Sequence, residues 1–196
     1  MSSSKPLTVM ALPQESRGLL EAAGAQVLYT GVGKVNAAAA LARRLAERRV
    51  AGDPVPLVIN MGTVGSRSVA AHTLVACNRF SQRDMDVSGL GFPPGVTPFD
   101  DAPAIIECPV VFPALPQLHC SSADSFATHR HEIEGDVVDM EAFALARVCL
   151  SENTPFGCVK YVTDGADVDS AAHWQAALEG AARAFAGAYR SLASPS

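Results

Sequence analysis

Apolar and polar positions along the chain fall into blocks whose period switches between strand-like and helix-like. Leu7–Leu12 is a short apolar run that predicts a buried strand. Pro13 suits the first position of a helix running to about Ala23, with Gly24 as its stop. Ala25–Tyr29 predicts a second strand, and Lys34 to about Arg49, rich in Ala, Leu and Arg, a strong helix. Val55–Asn60 is a continuous apolar run bounded by Pro and Gly, the mark of a strand buried on both faces. His72–Asn78 reads as another strand. From Gly89 to Pro116 prolines and glycines recur without periodicity, which predicts loops and short strands. Val137–Asp139 leads into a helix near Met140–Leu150, and Phe156–Val162 is a further buried strand. In the last helix, about Asp169 to Leu192, Trp174, Leu178, Ala181, Phe185, Ala188 and Leu192 share one face at spacings of three and four. That stripe is expected to be core packing and not a ligand site.

Strands alternating with amphipathic helices predict an α/β fold: one domain over residues 1–196, with a central mixed β-sheet between two helical layers. No repeat or linker interrupts it. The chain is 48% hydrophobic and 18% charged, a balance that supplies a core and argues against disorder. Its net charge of -5 and the lack of a basic stripe speak against nucleic acid as a partner. The densest basic run, Arg43-Arg44 with Arg48-Arg49, reads as a solvated helix face. No apolar run approaches the roughly 20 residues of a membrane span, and the start lacks the apolar length of a signal peptide. Five cysteines without CxxC spacing read as reduced and mostly buried, so a cytoplasmic protein without a metal or disulfide framework is expected.

Three turns after strands carry small residues: Gly31-Val32-Gly33-Lys34, Gly62-Thr63-Val64-Gly65 and Thr163-Asp164-Gly165. Ligands of α/β sheets bind where strands end, and small residues there let them approach the backbone. Gly31-x-Gly33 alone is only a tight turn, without the third glycine of a dinucleotide fingerprint or a Walker pattern. Carboxylates are the second signal. Glu15 follows the first strand, Glu141 opens a helix, and Asp164 ends an apolar strand. Each alone reads as a cap or a solvated acid; three at successive strand ends suggest catalysis. His129-Arg130-His131 has no partner at metal-ligand spacing, and the absence of Gly-x-Ser-x-Gly disfavours an α/β-hydrolase triad.

Seven segments in order, from about Val9 to Phe185, resemble the purine nucleoside phosphorylase/nucleosidase superfamily, and most its methylthioadenosine/S-adenosylhomocysteine nucleosidase branch. They are Ala11-Leu12-Pro13-Gln14-Glu15, Thr30–Ala38, Ile59–Gly65, Asp84-Met85-Asp86-Val87 with Gly91-Phe92 and Pro98, Ser122–Phe126, Val138-Asp139-Met140-Glu141-Ala142 and Val162–Asp167. The chain departs from the pattern in being shorter between Glu15 and Tyr29 and between Asp100 and Ser121. It also departs in Lys160 for arginine, Thr163 for serine and Asp139 for glutamate.

The resemblance implies a nucleoside phosphorylase-like fold and hydrolysis of the N-glycosidic bond of a purine nucleoside, with no cofactor, in methionine salvage. It makes Asp164 the acid to the leaving base and Glu15 the group that activates water. Glu141 would hold the ribose hydroxyls, Met140 would pack under the ribose and Phe126 would stack on the purine. Thr163, Gly62 and Thr63 would complete the pocket. It further implies a homodimer in which Phe92 and Pro98 reach the neighbour's pocket. The chemistry fits: breaking the bond builds an oxocarbenium-like sugar and an anionic base, so one acid and one water-activating carboxylate are required. Asp164 would need burial to keep its proton. Competing readings are a futalosine-type hydrolase, a phosphorolytic relative and a non-catalytic nucleoside-binding domain. Asn60-Met61 before Gly62, where such phosphorylases carry arginine, favours hydrolysis.

Overall fold

The structure is a computed structural model that describes residues 5–125, 135–164 and 170–193, side chains excepted at 170–173 and 193. Two parallel neighbours of a buried strand open it: β1 (Leu7–Met10) lies between β2 (Gln26–Tyr29) and β3 (Val58–Gly65). β8 (Phe156–Asp164) runs parallel to β3 on its other side and antiparallel to β4 (Leu74–Gln82). β4 pairs with β5 (Ile106–Glu107) and with β6 (Gln117–Ser122), β6 with β7 (Val137–Asp139), and β7 returns to β3. β3, β8, β4, β6 and β7 thus close a ring, extended past β3 by β1 and β2.

Helices cover both faces. α3 (Lys34–Ala51) and α4 (Ala142–Ser151) bury Leu41, Leu45, Leu145 and Cys149 against one face. α5 (Ser170–Ala193) and the short α2 (Leu19–Ala22) bury Ala181, Phe185 and Leu20 against the other. Every residue of β8 is buried, as expected of a strand covered on both sides. The three-layer α/β/α arrangement with a mixed sheet is the one predicted. Among the described residues no helix is long and apolar enough to cross a membrane.

Three local expectations need correcting. The helix from Pro13 to Ala23 is broken. α1 (Pro13–Ser16) stops at Arg17 and Gly18, both left-handed at φ 49° and 75°, before α2 begins. Glycine and a single left-handed residue form a corner that a continuous helix cannot hold. Second, Gly62–Gly65 is not a turn but the end of β3. Third, β6 appears where no strand was expected. Its Ser121 and Ser122 are fully buried, and the hydroxyls of Ser81 and Ser121 bond across β4 and β6. The irregular stretch ahead of β6 holds, as expected, little more than a 3₁₀ turn (Ser88–Leu90) and β5.

Candidate active site

Asp164 ends β8, Glu141 follows β7, and Glu15 lies on α1 just past the end of β1. Opposite Val64 and Gly65 the register of β8 slips by one residue, so that Gly65 faces Asp164 and Thr163 is the extra residue. A bulge breaks strict alternation. Consecutive side chains, Thr163 and Asp164, therefore both line the same cavity, which has a volume of about 270 Å³. Glu15, Gly62, Thr63, Met140 and Glu141 line it as well. Seven of the ten residues singled out in the sequence thus meet in one place. Phe92 and Pro98 do not line this cavity of their own chain; Phe92 instead packs edge-on against Phe99 with ring centroids 5.5 Å apart. Phe126, like the His129–His131 pair, lies outside the described residues.

Glu15 is buried on the one-turn helix α1, and its carboxylate is held on both sides. The Leu12 N–H donates to Oε2 at 3.2 Å, while the Thr63 N–H and hydroxyl both donate to Oε1 at 2.9 Å. Asp164 is buried, and the Thr163 hydroxyl donates to its Oδ2 at 2.6 Å. Thr163 is thus turned toward the acid. Glu141 stands at the N-cap position of α4, and its Oε1 accepts the Gly33 N–H at 2.8 Å. Gly33 has φ +96°, and a Cβ there would stand 3.0 Å from Asp124 Oδ1, so glycine is what lets this turn close on both acids. Burial, and next the charge of Asp139, push the Glu141 carboxyl from 4.5 up to about 7. The Lys160 ammonium and the Gly33 bond oppose that rise.

Beneath these groups sits a buried ion pair that sequence reasoning named only as two substitutions. Lys160 Nζ donates to Asp139 Oδ2 at 2.7 Å, with both side chains 1% exposed. Asp139 also accepts the Ser122 hydroxyl at 2.5 Å and the Ala142 N–H at 2.9 Å. Burial alone would raise the Asp139 carboxyl; Lys160 and these donors outweigh it and hold it below the usual range. Burial likewise disfavours the Lys160 charge, and Asp139 reverses the effect, so the lysine stays charged. Gly62 lies over the pair. A Cβ there would be 3.4 Å from Lys160 Nζ and 3.5 Å from Glu15 Oε1.

Two more cavity residues were missed. Arg83 donates to the carbonyls of Ser121, Asp139 and Ser125 at 2.7, 3.2 and 2.8 Å, tying β6 to β7. It directly precedes the Asp84-Met85-Asp86-Val87 segment, and that adjacency was the signal available for it. Trp174 corrects the expectation of a wholly packed stripe on α5. It lines the cavity, and its Nε1–H donates to Thr63 Oγ1 at 2.9 Å. The available signal was that this first member of the stripe is its only side chain with a polar edge.

No protein-family model matches the chain. It is 30% identical to the 5′-methylthioadenosine/S-adenosylhomocysteine nucleosidase of Geobacillus kaustophilus over 197 residues, 90% of this chain and 82% of that one. It is also 30% identical to the nucleosidase of the same name from Geobacillus thermodenitrificans, over 89% of this chain and 81% of that one. Among solved structures it superposes with a TM-score of 0.82 on the Helicobacter pylori nucleosidase of that name crystallised with butyl-thio-DADMe-Immucillin-A. The identity is 19%, and 98% of this chain and 99% of that one are covered. A futalosine hydrolase mutant of the same organism gives 0.81 at 19% identity, covering 96% and 98%. The nucleoside phosphorylase-like fold expected from the sequence is the fold these structures share.

Proposed function

The chain belongs to the 5′-methylthioadenosine/S-adenosylhomocysteine nucleosidase family, and we propose from that premise how its cavity works. It is an N-glycosyl hydrolase of purine nucleosides; the assignment of roles to residues is our reading. The observation that carries it is the convergence of Glu15, Glu141 and Asp164 on one cavity from three separate elements. Asp164 gives its proton to a ring nitrogen of the departing purine. Glu15 accepts a proton from the water that attacks the anomeric carbon. Glu141 accepts hydrogen bonds from the ribose hydroxyls, and Met140 packs beneath the sugar. The C–N bond breaks as positive charge builds on the sugar, and the products are free base and a free ribose derivative.

Water is favoured over phosphate as the nucleophile by the cations of the cavity. Lys160 is held by Asp139, and Arg83 by backbone carbonyls. With four carboxylates around the same space, no surplus of positive charge awaits an anion. Release of base and reducing sugar from methylthioadenosine, S-adenosylhomocysteine and futalosine, assayed without phosphate, tests this. Turnover of the first two is expected, with Asp164→Asn and Glu15→Gln each slower by roughly 100-fold or more. A strict phosphate requirement, or full activity in either variant, would overturn it.

Residues 1–196 are read as one domain, and the assembly as a homodimer. Phe99, 97% exposed beside Phe92, and Leu90, 74% exposed, support a self-associating loop. Sedimentation showing only monomer would remove that reading. Five free cysteines suit a reducing compartment, so a cytoplasmic place in methionine salvage is proposed.

A further inference from the structure

An indole N–H donates and never accepts. The bond from Trp174 Nε1 to Thr63 Oγ1, 2.9 Å long, therefore makes the Thr63 hydroxyl an acceptor on that side. The hydroxyl has a single hydrogen of its own, and its acceptor at 2.9 Å is Glu15 Oε1. The Thr63 backbone N–H goes to the same oxygen, and the Leu12 N–H to the other. A carboxylate offers about four lone-pair directions. Three are taken, which leaves one to face the cavity. If the indole hydrogen is removed, the Thr63 hydroxyl is free to turn its hydrogen into the cavity, and Oε1 loses a donor that sets its direction.

We infer that Trp174 is a positioning residue for the reaction, acting on Glu15 through the Thr63 hydroxyl. This rests on the reading of Glu15 as the water-activating group. The relay crosses three elements: Trp174 on α5, Thr63 on β3 and Glu15 on α1. α5 is also the helix that follows Asp164 in the chain, so the element after the acid sets the orientation of the base.

Trp174 is the only tryptophan of the protein, so one indole N–H resonance reports the relay directly. Trp174→Phe keeps a flat apolar wall and removes the N–H; Thr63→Val keeps the backbone donor and removes the hydroxyl. Each is expected to lower kcat about 10-fold, the scale of one lost hydrogen bond, with KM changed less than about 2-fold. The double variant is expected to be no slower than the singles, since both cut one chain. Thr63→Val is further expected to move the indole resonance upfield and speed its exchange with solvent, a readout that does not require Trp174→Phe to fold. A raised KM at constant kcat, multiplying losses in the double variant, or an indole resonance indifferent to Thr63→Val would overturn the inference. Glu15→Gln serves as the control. If it too turns over normally, the reading of Glu15 falls together with the inference; if it is inactive while the losses multiply, the inference falls alone.

Discussion

Glu141 places an ionisation near neutral pH, with consequences for activity and for folding. The carboxyl is raised from 4.5 to about 7, first by burial and second by Asp139. In its proposed role as ribose clamp, Glu141 accepts two hydroxyl hydrogens and must be ionised. At pH 8 about nine-tenths of free enzyme molecules carry the charged form, and at pH 6 about one-tenth. The acidic limb of kcat/KM, which reports the free enzyme, is therefore expected to fall about 10-fold from pH 8 to pH 6. Glu141→Gln should lower the plateau and abolish that limb. The same shift acts on folding with a definite sign. The folded state holds the proton more tightly than the unfolded one, so the stabilisation is fully present below pH 4.5 and is lost as pH rises through about 7. The loss is about 3 kcal/mol, at about 1.4 kcal/mol per pH unit. Urea unfolding of wild type against Glu141→Gln, from pH 4 to pH 8, should show a gap opening between them, with wild type losing about 3 kcal/mol relative to the variant. A kcat/KM profile flat between pH 6 and pH 8, or a limb that survives in Glu141→Gln, would refute the reasoning.

Lys160→Met removes the partner of a buried carboxylate and is expected to cost about 3–5 kcal/mol by urea unfolding, while Lys160→Met/Asp139→Asn recovers most of it; a single variant as stable as wild type would contradict the pairing. Gly62→Ala has ordinary contact distances on both sides, so its melting temperature should stay within a few degrees of wild type. Its methyl group enters the space beside Glu15 Oε1, however, and kcat should fall at least about 10-fold; unchanged kcat would show that this space is not used in turnover.

Much of the fold could be read from where apolar runs stop. β8 and α3 begin at the residues expected of them, because neither had a competing local preference. Difficulties arose where tertiary context outweighed local signals. β6 carries Gln117, His119, Ser121 and Ser122 beside only two apolar residues, Leu118 and Cys120, so much of its burial rests on side-chain hydrogen bonds that no apolar run announces. The Gly-Thr-Val-Gly end of β3 looks like a turn, since nothing local tells that Gly62 is bare to make room for Lys160 and Glu15. The three acids were visible as carboxylates at strand ends, but Asp139 and Lys160 hold each other from separate strands 21 positions apart. Trp174 shares the spacing of its packed neighbours, and its place at the cavity is marked only by the indole N–H bonded to Thr63 Oγ1.

Glu15 leaves this chain little room to drift. Its carboxylate is the acceptor for the Leu12 N–H that opens α1 and for the Thr63 N–H at the end of β3. A buried backbone donor left without an acceptor costs about 1–3 kcal/mol. Replacement by a residue with no acceptor therefore removes the proposed water-activating group and loosens a strand end and a helix start in the same event. A descendant that kept the nucleoside cavity but lost turnover could not simply discard this side chain. It would have to retain an acceptor of the same length, or acquire a new cap for α1 first.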